Sequence, residues 1–258
     1  MPRLDHVALV VRDLDLAIAS FEQLGFTVVR GGRHPTGSHV AFITFRNGTC
    51  LELFSFYTAE GARAHRYGAE LERGEGLVDW CAVSDDLERD VSLYRAAGLT
   101  IDDPVSKSRT RPDGVELRWR VAITAGPGRA VAPFLIQDET ARADRMPPPA
   151  DHANGCHGIG AVIVAAPDLE AARRWCTVAL GAAPSPTSWP AGGGDALEAH
   201  SGGARLIWAR PAGGDQAIAR HLALRGAAPF ELHLSAPRAR RGALDARRTH
   251  GARLVLVD

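Results

Sequence analysis

The feature that most constrains the fold is a short strand-helix-strand unit that recurs along the chain. Its clearest copy is residues 4–28, LDHVALVVRDLDLAIASFEQLGFTV, where an apolar run precedes a helix-like segment, a glycine and a second apolar run. Asp13 can cap the helix, and Gly25 can end it because glycine adopts the left-handed conformation at little cost. Leu14 and Phe21 fall on one helix face. The unit predicts a buried strand covered by an amphipathic helix.

The unit returns three more times. Further copies lie at residues 77–101, at 159–183 and, less clearly, at 230–258. The glycines that end the four helices are 73, 83 and 70 residues apart: Gly25, Gly98, Gly181 and Gly251. Repetition at this interval indicates duplicated modules.

Two further strands follow each of the first three units. In the first copy, HVAFITF (39–45) and TCLELFSF (49–56) flank Asn-Gly, which is a strong hairpin signal. Comparable strand pairs follow the second and third copies, whereas the fourth copy stops after its strand-helix-strand part. The predicted fold class is therefore α+β, with repeated βαβββ modules in two similar halves and a truncated last module.

A proline-rich segment divides the chain. Three consecutive prolines within residues 144–151 resist both helix and sheet, which predicts a linker. The predicted domains are residues 1–143, with two modules, and residues 152–258, with one full and one truncated module. A chain of 258 residues is long enough for each half to have its own core.

Composition limits the partners. The formal net charge is zero, which gives no reason to expect a nucleic-acid or acidic-membrane partner. The first residues lack an apolar signal region and no apolar run reaches 18 residues, so we expect a cytoplasmic protein. The four cysteines form no C-x-x-C pair, which favours buried free thiols over disulfides or zinc. A homodimer is one option for the assembly.

With these repeated units, the chain resembles the vicinal oxygen chelate superfamily and, within it, the glyoxalase-like domain proteins. The resemblance rests on residues 4–28, GGRHPTGSHVAFITF, CLELFSF, YTAEGARAHRYG and HANG…AVIVAAPDLEAARRW. It covers most of the chain, best in the first 56 residues and least in the C-terminal module. It implies curved mixed sheets around a cup, with helices outside. It also implies a divalent metal held by the first and fourth strands of each module and chelated by adjacent oxygens of the substrate.

His6 and Glu52 match two of those ligand positions. Strand alternation places bulkier Val7 and Leu9 under the helix and leaves His6 facing the cup. Glu52 shares a strand face with Phe54, and burying its carboxylate unpaired would be costly. The resemblance assigns His6 and Glu52 as ligands of Zn, Fe, Mn or Ni, with Glu52 also as a catalytic proton shuttle. A structural His-Glu hydrogen bond is the alternative.

The second module matches the pattern less well. Near the His6 position it offers Trp80, and on its fourth strand it offers Gln137 where a glutamate is expected. We expect Trp80 and Phe54 to form stacking walls and Gln137 to contact the substrate. His39 follows the loop GGRHPTGSH, so we expect it at the lip of the cup as a further substrate contact or ligand.

These residues favour a small-molecule enzyme of the glyoxalase/dioxygenase superfamily. A metal would act as a Lewis acid on a carbonyl or enediol oxygen, as in a lyase, an isomerase or a dioxygenase. One alternative is an extradiol ring-cleaving dioxygenase, which needs two histidines and a glutamate in one half. The other is a metal-free protein that binds or sequesters a small molecule. In each case the partner is a small-molecule ligand.

Overall fold

The computed structural model describes residues 2–189, 195–211 and 216–258. The strands of the first half are β1 Arg3–Val10, β2 Val29–Arg33, β3 Ser38–Thr44, β4 Cys50–Phe56, β5 Gly76–Val83, β6 Thr100–Ile101, β7 Val105–Thr110, β8 Glu116–Ala122, β9 Thr124–Ala125 and β10 Phe134–Asp138. The helices of that half are α1 Leu14–Gln23, α2 Ala59–Ala64, α3 Arg66–Glu72, α4 Leu87–Ala96 and α5 Arg142–Arg145.

The second half follows the same plan in its first module. Its strands are β11 Gly158–Ala165, β12 Ser185–Ser188, β13 Asp195–Ser201, β14 Ala204–Ala209, β15 Ala228–Ser235, β16 Gly242–Ala243 and β17 Leu254–Val257. Its helices are α6 Leu169–Ala179 and α7 Gln216–Arg225. In these described ranges, no helix is long and apolar enough to span a membrane.

Two large mixed sheets organise the molecule. Eight strands of the first half close on themselves in the order β1-β4-β3-β2-β7-β8-β10-β5. Seven strands of the second half form an open sheet in the order β12-β13-β14-β11-β15-β17-β16. In the first sheet β1 runs parallel to β4 and antiparallel to β5, which joins the two modules edge to edge. The α+β class with βαβββ modules and outer helices is confirmed.

The predicted helix boundaries follow from capping. Asp13 accepts hydrogen bonds from the backbone N–H groups of Asp15 and Leu16 at 2.9 and 3.0 Å, which satisfies donors that the first turn leaves free. Asp86 and Asp168 cap α4 and α6 in the same way. The helix-ending glycines adopt left-handed φ angles, so three copies of the unit share one local design.

The fourth copy lacks its predicted helix. A single 3-10 turn at Arg238–Arg240 follows β15, and the chain then passes through β16 to a turn that ends at Gly251. The segment is rich in arginine, and Leu244 is its only large apolar residue before β17, so it has no apolar stripe to bury. Gly242, at φ 139°, further disfavours a helix there.

The largest core lies between the two sheets. Trp80, Trp175 and Trp208 contact one another with ring centroids 5.7–6.4 Å apart. The indole N–H of Trp80 donates to the carbonyl of Ala130, and that of Trp208 donates to the carbonyl of Val131, each at 2.7 Å. These buried rings therefore join the two halves without leaving those two donors unpaired.

The opposite face of the first sheet is lined differently. Ala8, Val10 and Phe54 lie on that face, whereas Val7 and Leu9 belong to the main core, as strand alternation predicts. All four cysteines are free and buried, also as predicted.

The predicted linker is packed against the first half. Arg145 and Met146 are buried, and Thr44 donates a hydrogen bond to the carbonyl of Pro148. The segment 144–151 therefore contributes side chains to the same face of the first sheet as Ala8, Val10 and Phe54.

Candidate functional site

A cavity of about 220 Å³ lies on the inner face of the first sheet. Strands of both N-terminal modules form its walls, and residues from α2 and α3 lie over it. Its apolar lining includes Phe42, Phe54, Trp119 and Phe134. Its polar lining includes three histidines, one glutamate, one lysine and three arginines: His6, His34, His65, Glu52, Lys107, Arg66, Arg109 and Arg145.

A strand irregularity builds the centre of the cavity. The pairing of β1 with β5 shifts register between Leu4 and His6, and Asp5 falls at the shift. The Asp5 carboxylate thereby contacts the neighbouring imidazole, with Oδ2 2.8 Å from His6 Nδ1, although adjacent strand residues normally point to opposite faces. The irregularity converts two neighbouring residues into a carboxylate-imidazole pair.

Two arginines fix the charge of Asp5. Its side chain is completely buried, and Oδ1 accepts bonds from Arg142 at 2.6 and 3.0 Å and from Arg145 at 3.3 Å. Burial by itself raises the pKa of Asp5, but Arg145, His6 and Arg142 outweigh it and hold the pKa well below its usual range. Asp5 is therefore an ionised acceptor, and Nδ1 of His6 must carry the proton that it donates.

Glu52 faces the other nitrogen of the same ring. Its Oε2 lies 3.6 Å from His6 Nε2, and its side chain is 13% exposed. That separation is too long for a hydrogen bond. With Nδ1 directed at Asp5, Nε2 and the Glu52 carboxylate face each other, an arrangement suited to sharing one proton.

The internal repeat identifies the counterpart of His6 in the second module. The helix caps Asp13 and Asp86 are 73 residues apart, so the residue that corresponds to His6 is Asp79. Asp79 is buried, and its Oδ1 accepts a hydrogen bond from its neighbour's backbone N–H at 2.9 Å.

Strand register identifies the counterpart of Glu52. On parallel strands, Glu52 pairs with Ala8. The residue that corresponds to Ala8 is Cys81, and Cys81 pairs with Phe134 on β10. The fourth-strand position of the second module is therefore a phenyl ring, which offers no ligand atom.

Arg66 lies between these two second-module positions. Its Nη2 forms an ion pair with Asp79 Oδ2 at 2.9 Å and donates to the Tyr67 hydroxyl at 2.7 Å. Its guanidinium carbon lies 4.6 Å from the ring centre of Phe134 and 4.5 Å from that of Tyr67, both within cation-π range. Arg66 is the first residue of α3, so the helix after the first module supplies a cation to the second module's side of the cavity.

Two lining histidines are uncharged at neutral pH. Burial, with Arg109 nearby, lowers the pKa of His34 to about 3. Burial, with Arg66 nearby, lowers the pKa of His65 to about 3. Their rings stack on Phe54 with centroids 5.9 and 4.9 Å away, so they extend the aromatic wall.

Three of the predicted site residues line the cavity and three do not. His6, Glu52 and Phe54 are lining residues, on the faces that alternation predicts. His39 lies on the outer face of β3, where its ring contacts Tyr57. The neighbouring residue Ser38 faces the cavity instead, and adjacent strand residues point to opposite faces.

Trp80 and Gln137 also lie away from the cavity, contrary to expectation. Trp80 of β5 pairs with Val7 of β1, and both side chains lie on the sheet face that points away from the cavity. The indole therefore lies in the core between the two sheets. Gln137 lies one residue beyond inward-facing Ile136, and its side-chain amide donates to the carbonyl of Asp85. Trp80 is one residue from Asp79 and Gln137 is three residues from Phe134, and a shift by an odd number of residues exchanges the two faces of a strand.

The donors for a metal ion are incomplete. Asp5, His6 and Cys81 bring one potential ligand atom each within 4.8 Å of one another, so this group could hold a metal ion. Asp5, however, already carries two arginine partners, and burial raises the pKa of Cys81 well above its usual value, which favours the neutral thiol. His6 and Glu52 alone do not supply the three or four protein ligands of ordinary zinc sites.

Sequence reasoning missed most of the cationic lining. Arg66 and Tyr67 lie in YTAEGARAHRYG, a segment after the first module where a histidine, an arginine and a tyrosine are consecutive. Arg109 and Trp119 lie on β7 and β8, whose inward faces alternation could have identified. Nothing local in the sequence signals that these side chains converge.

Histidines of the second half form separate pairs. His233 Nε2 lies 2.9 Å from Glu231, and His200 Nε2 lies 3.3 Å from Glu198. Glu198 also binds Arg205, which holds the pKa of that carboxyl below its usual value. Within the described part of this half, these contacts do not assemble the two histidines and one glutamate that an extradiol centre needs.

Paired βαβββ modules, outer helices and an inner cavity lined by first- and fourth-strand side chains define a protein of the glyoxalase type. A family model described as a glyoxalase-like domain matches residues 4–180, more than half of the sequence. The chain belongs to this glyoxalase-like domain family.

Solved structures share the fold. A hypothetical protein from Staphylococcus aureus has a TM-score of 0.71 and 13% identity, covering 100% of this chain and 99% of that one. A mutant of 4-hydroxymandelate synthase from Streptomyces coelicolor has a TM-score of 0.61 and 14% identity, with 93% and 73% covered. No curated protein matches the sequence. At these identities the likeness concerns the fold.

Proposed function

We propose that the chain is a small-molecule enzyme that moves a proton at a carbon atom beside a carbonyl group. One observation carries the proposal. Inside the cavity, Nε2 of His6 and the carboxylate of Glu52 face each other at 3.6 Å, while Asp5 holds the other ring nitrogen. A proton-transfer group oriented by a second group is the usual arrangement of general acid-base catalysis.

The roles follow from the geometry. Glu52 takes the proton from the C–H bond, and the electron pair of that bond moves to the carbonyl oxygen to give an enolate. His6, whose Nε2 lies beside Glu52, shares that proton, and it is returned to the same carbon as the electron pair moves back from the oxygen. Cationic side chains of the lining stabilise the enolate oxygen as its charge develops. General acid-base catalysis of this kind contributes about 10²–10⁴-fold in rate.

Metal-assisted chemistry is the second candidate. It is favoured by the spacing of Asp5, His6 and Cys81, and Zn, Fe, Mn or Ni would suit imidazole and carboxylate donors. We favour the metal-independent reaction because a metal held by Asp5, His6 and Cys81 would compete with Arg142 and Arg145 for the Asp5 carboxylate. Breaking such buried ion pairs is costly.

The experiment is hydrogen exchange in D₂O. The full chain is incubated with a panel of small 2-oxo acids and 2-hydroxy ketones, and deuterium at the carbon beside the carbonyl is followed by proton NMR. We expect exchange above the buffer rate, lowered at least about 10²-fold in His6→Gln and Glu52→Gln. His39→Gln, a change outside the cavity, should leave the rate unchanged. Prior treatment with a chelator should also leave it unchanged.

Two outcomes contradict this proposal. Exchange that disappears with the chelator and returns with one metal supports the metal-assisted reaction. Exchange no faster than buffer across the panel, together with tight binding of a panel member, supports the metal-free binding protein. We also propose that residues 1–143, with Arg145, form the working half and that residues 152–258 support it through the shared core.

A further inference from the structure

The two sides of the cavity differ chemically although the same unit builds both. The first module presents His6 and Glu52. At the corresponding positions the second module has Asp79 and Phe134, and the guanidinium of Arg66 contacts both, at 2.9 and 4.6 Å. A cation from the chain itself therefore occupies the side of the cavity where the resemblance implies further metal ligands.

Arg66 has bonding capacity that the protein does not use. Nη2 binds Asp79 and Tyr67, whereas Nε and Nη1 are buried and have no hydrogen-bond partner among the described residues. Buried donors without partners carry a free-energy cost that an acceptor on a ligand would remove.

Arg109 adds a second buried cation. Its two terminal nitrogens donate to the backbone carbonyls of Gly31 and Arg145, and it bonds to no carboxylate within the described ranges. Burial lowers the pKa of Arg109 to about 10, so it remains charged at neutral pH. A buried charge that is hydrogen-bonded to neutral carbonyls, with Glu52 acting on it through space, favours an anionic ligand nearby.

The remaining lining restricts that anion. Glu52 lies in the same cavity and repels a second negative charge, which disfavours a phosphate dianion. The walls are aromatic, and the volume of about 220 Å³ is smaller than the roughly 300–1,000 Å³ of cavities for drug-sized ligands. The ligand that fits is small, carries one negative charge and has an apolar or aromatic body.

We propose that the cavity binds a small monocarboxylate whose carboxylate group accepts hydrogen bonds from Arg66. Arg109 supplies further positive charge, and the ligand body packs against Phe54, Trp119 and Phe134. The Phe134 ring contacts both Arg66, at 4.6 Å, and the His6 ring, at 5.6 Å, so a molecule anchored at Arg66 and lying along Phe134 reaches His6. That the bound carboxylate is also the substrate rests on the proposed function, whereas the binding itself does not.

The test compares benzoate with its neutral analogue benzamide by isothermal titration calorimetry on the full chain. We expect benzoate to bind at least about tenfold more tightly than benzamide, because the charge-assisted hydrogen bonds are lost with the charge. Arg66→Met should weaken benzoate binding by a similar factor. Arg63→Met, which removes an exposed arginine paired with Glu60 on α2, is the matched control and should change nothing.

A second variant distinguishes loss of the anion site from misfolding. Because Arg66→Met leaves Asp79 buried without its cation, the double variant Arg66→Met/Asp79→Asn removes both charges, and circular dichroism checks its fold. Failure of the wild type to bind benzoate overturns the inference. So does equal affinity for benzoate and benzamide, tighter binding of inorganic phosphate, or benzoate affinity unchanged in both variants.

The two proposals fail separately. If benzoate binding depends on Arg66 but no proton exchange occurs, the proposed function fails and the anion site stands. If exchange depends on Glu52 but benzoate binding is insensitive to Arg66, the anion site fails and the proposed function stands.

Discussion

Replacement of Asp5 by asparagine tests whether buried charge organises the cavity. The substitution keeps the shape of the side chain and removes the negative charge that Arg142 and Arg145 share. Arg145 retains Asp138 as a partner, so Arg142 alone loses the one carboxylate that it contacts among the described residues. Breaking a buried ion pair costs about 3–5 kcal/mol, and because the Asp138 contact is retained we expect a loss of about 3 kcal/mol.

The assay is urea unfolding followed by tryptophan fluorescence, with a parallel thermal melt. For a chain of this size, about 3 kcal/mol corresponds to a fall in Tm of roughly 6–12 °C. Asp103→Asn is the matched control, because Asp103 makes the same kind of ion pair, with Arg95, on the surface. We expect the control to unfold like the wild type.

The stability difference between wild type and Asp5→Asn should depend on pH, in a direction set by the shift of the Asp5 pKa. The pKa of Asp5 is lowered in the folded state, so its contribution is complete above its ordinary value of 3.8 and decreases as the pH falls below it. The difference in unfolding free energy between wild type and Asp5→Asn should therefore be constant near neutral pH and shrink in acid. A loss below about 1 kcal/mol at pH 7, or a loss equal to that of Asp103→Asn, would refute the reasoning.

Three further predictions concern stability and reactivity. His34 and His65 each have a pKa of about 3 in the folded chain, against 6.5 when unfolded. The free energy of unfolding should therefore fall by about 1.4 kcal/mol per pH unit for each histidine as the pH drops from 6 to 4. In urea unfolding measured at several pH values, the free energy of unfolding should depend less steeply on pH in His34→Gln than in the wild type. The buried cysteine thiols should react with a thiol reagent only after urea is added, and fast labelling of the native chain would contradict their burial. Gly32→Ala should lower Tm more than Gly48→Ala: both have positive φ, but the new Cβ would lie 2.0 Å from the Thr110 carbonyl oxygen only at residue 32.

The sequence predicted the repeating elements well because their signals are local. Asp13 and Gly25 mark the ends of α1, and alternation along β1 and β4 placed His6 and Glu52 on the same face. The fourth copy was misjudged because its glycine spacing resembled that of the other copies, although its arginine-rich segment lacks an apolar face.

The other half of the cavity could not be predicted from one sequence. Trp80 and Gln137 each lie one residue from an inward-facing position, and a strand pattern read without its partners does not fix register. Arg66 comes from a helix outside the repeat, and its approach to Phe134 depends on contacts between residues far apart in the chain. Side chains that converge across a sheet leave no common signal in sequence spacing.

His6 and Glu52 share one cavity with Arg66, which lies where the family resemblance implies metal ligands. The most direct measurement is a crystal structure of the zinc-loaded protein with anomalous diffraction data. We predict the Arg66 guanidinium between Asp79 and Phe134, and no anomalous peak beside His6. A zinc ion bound by His6 and Glu52, with Arg66 directed out of the cavity, would contradict the claim.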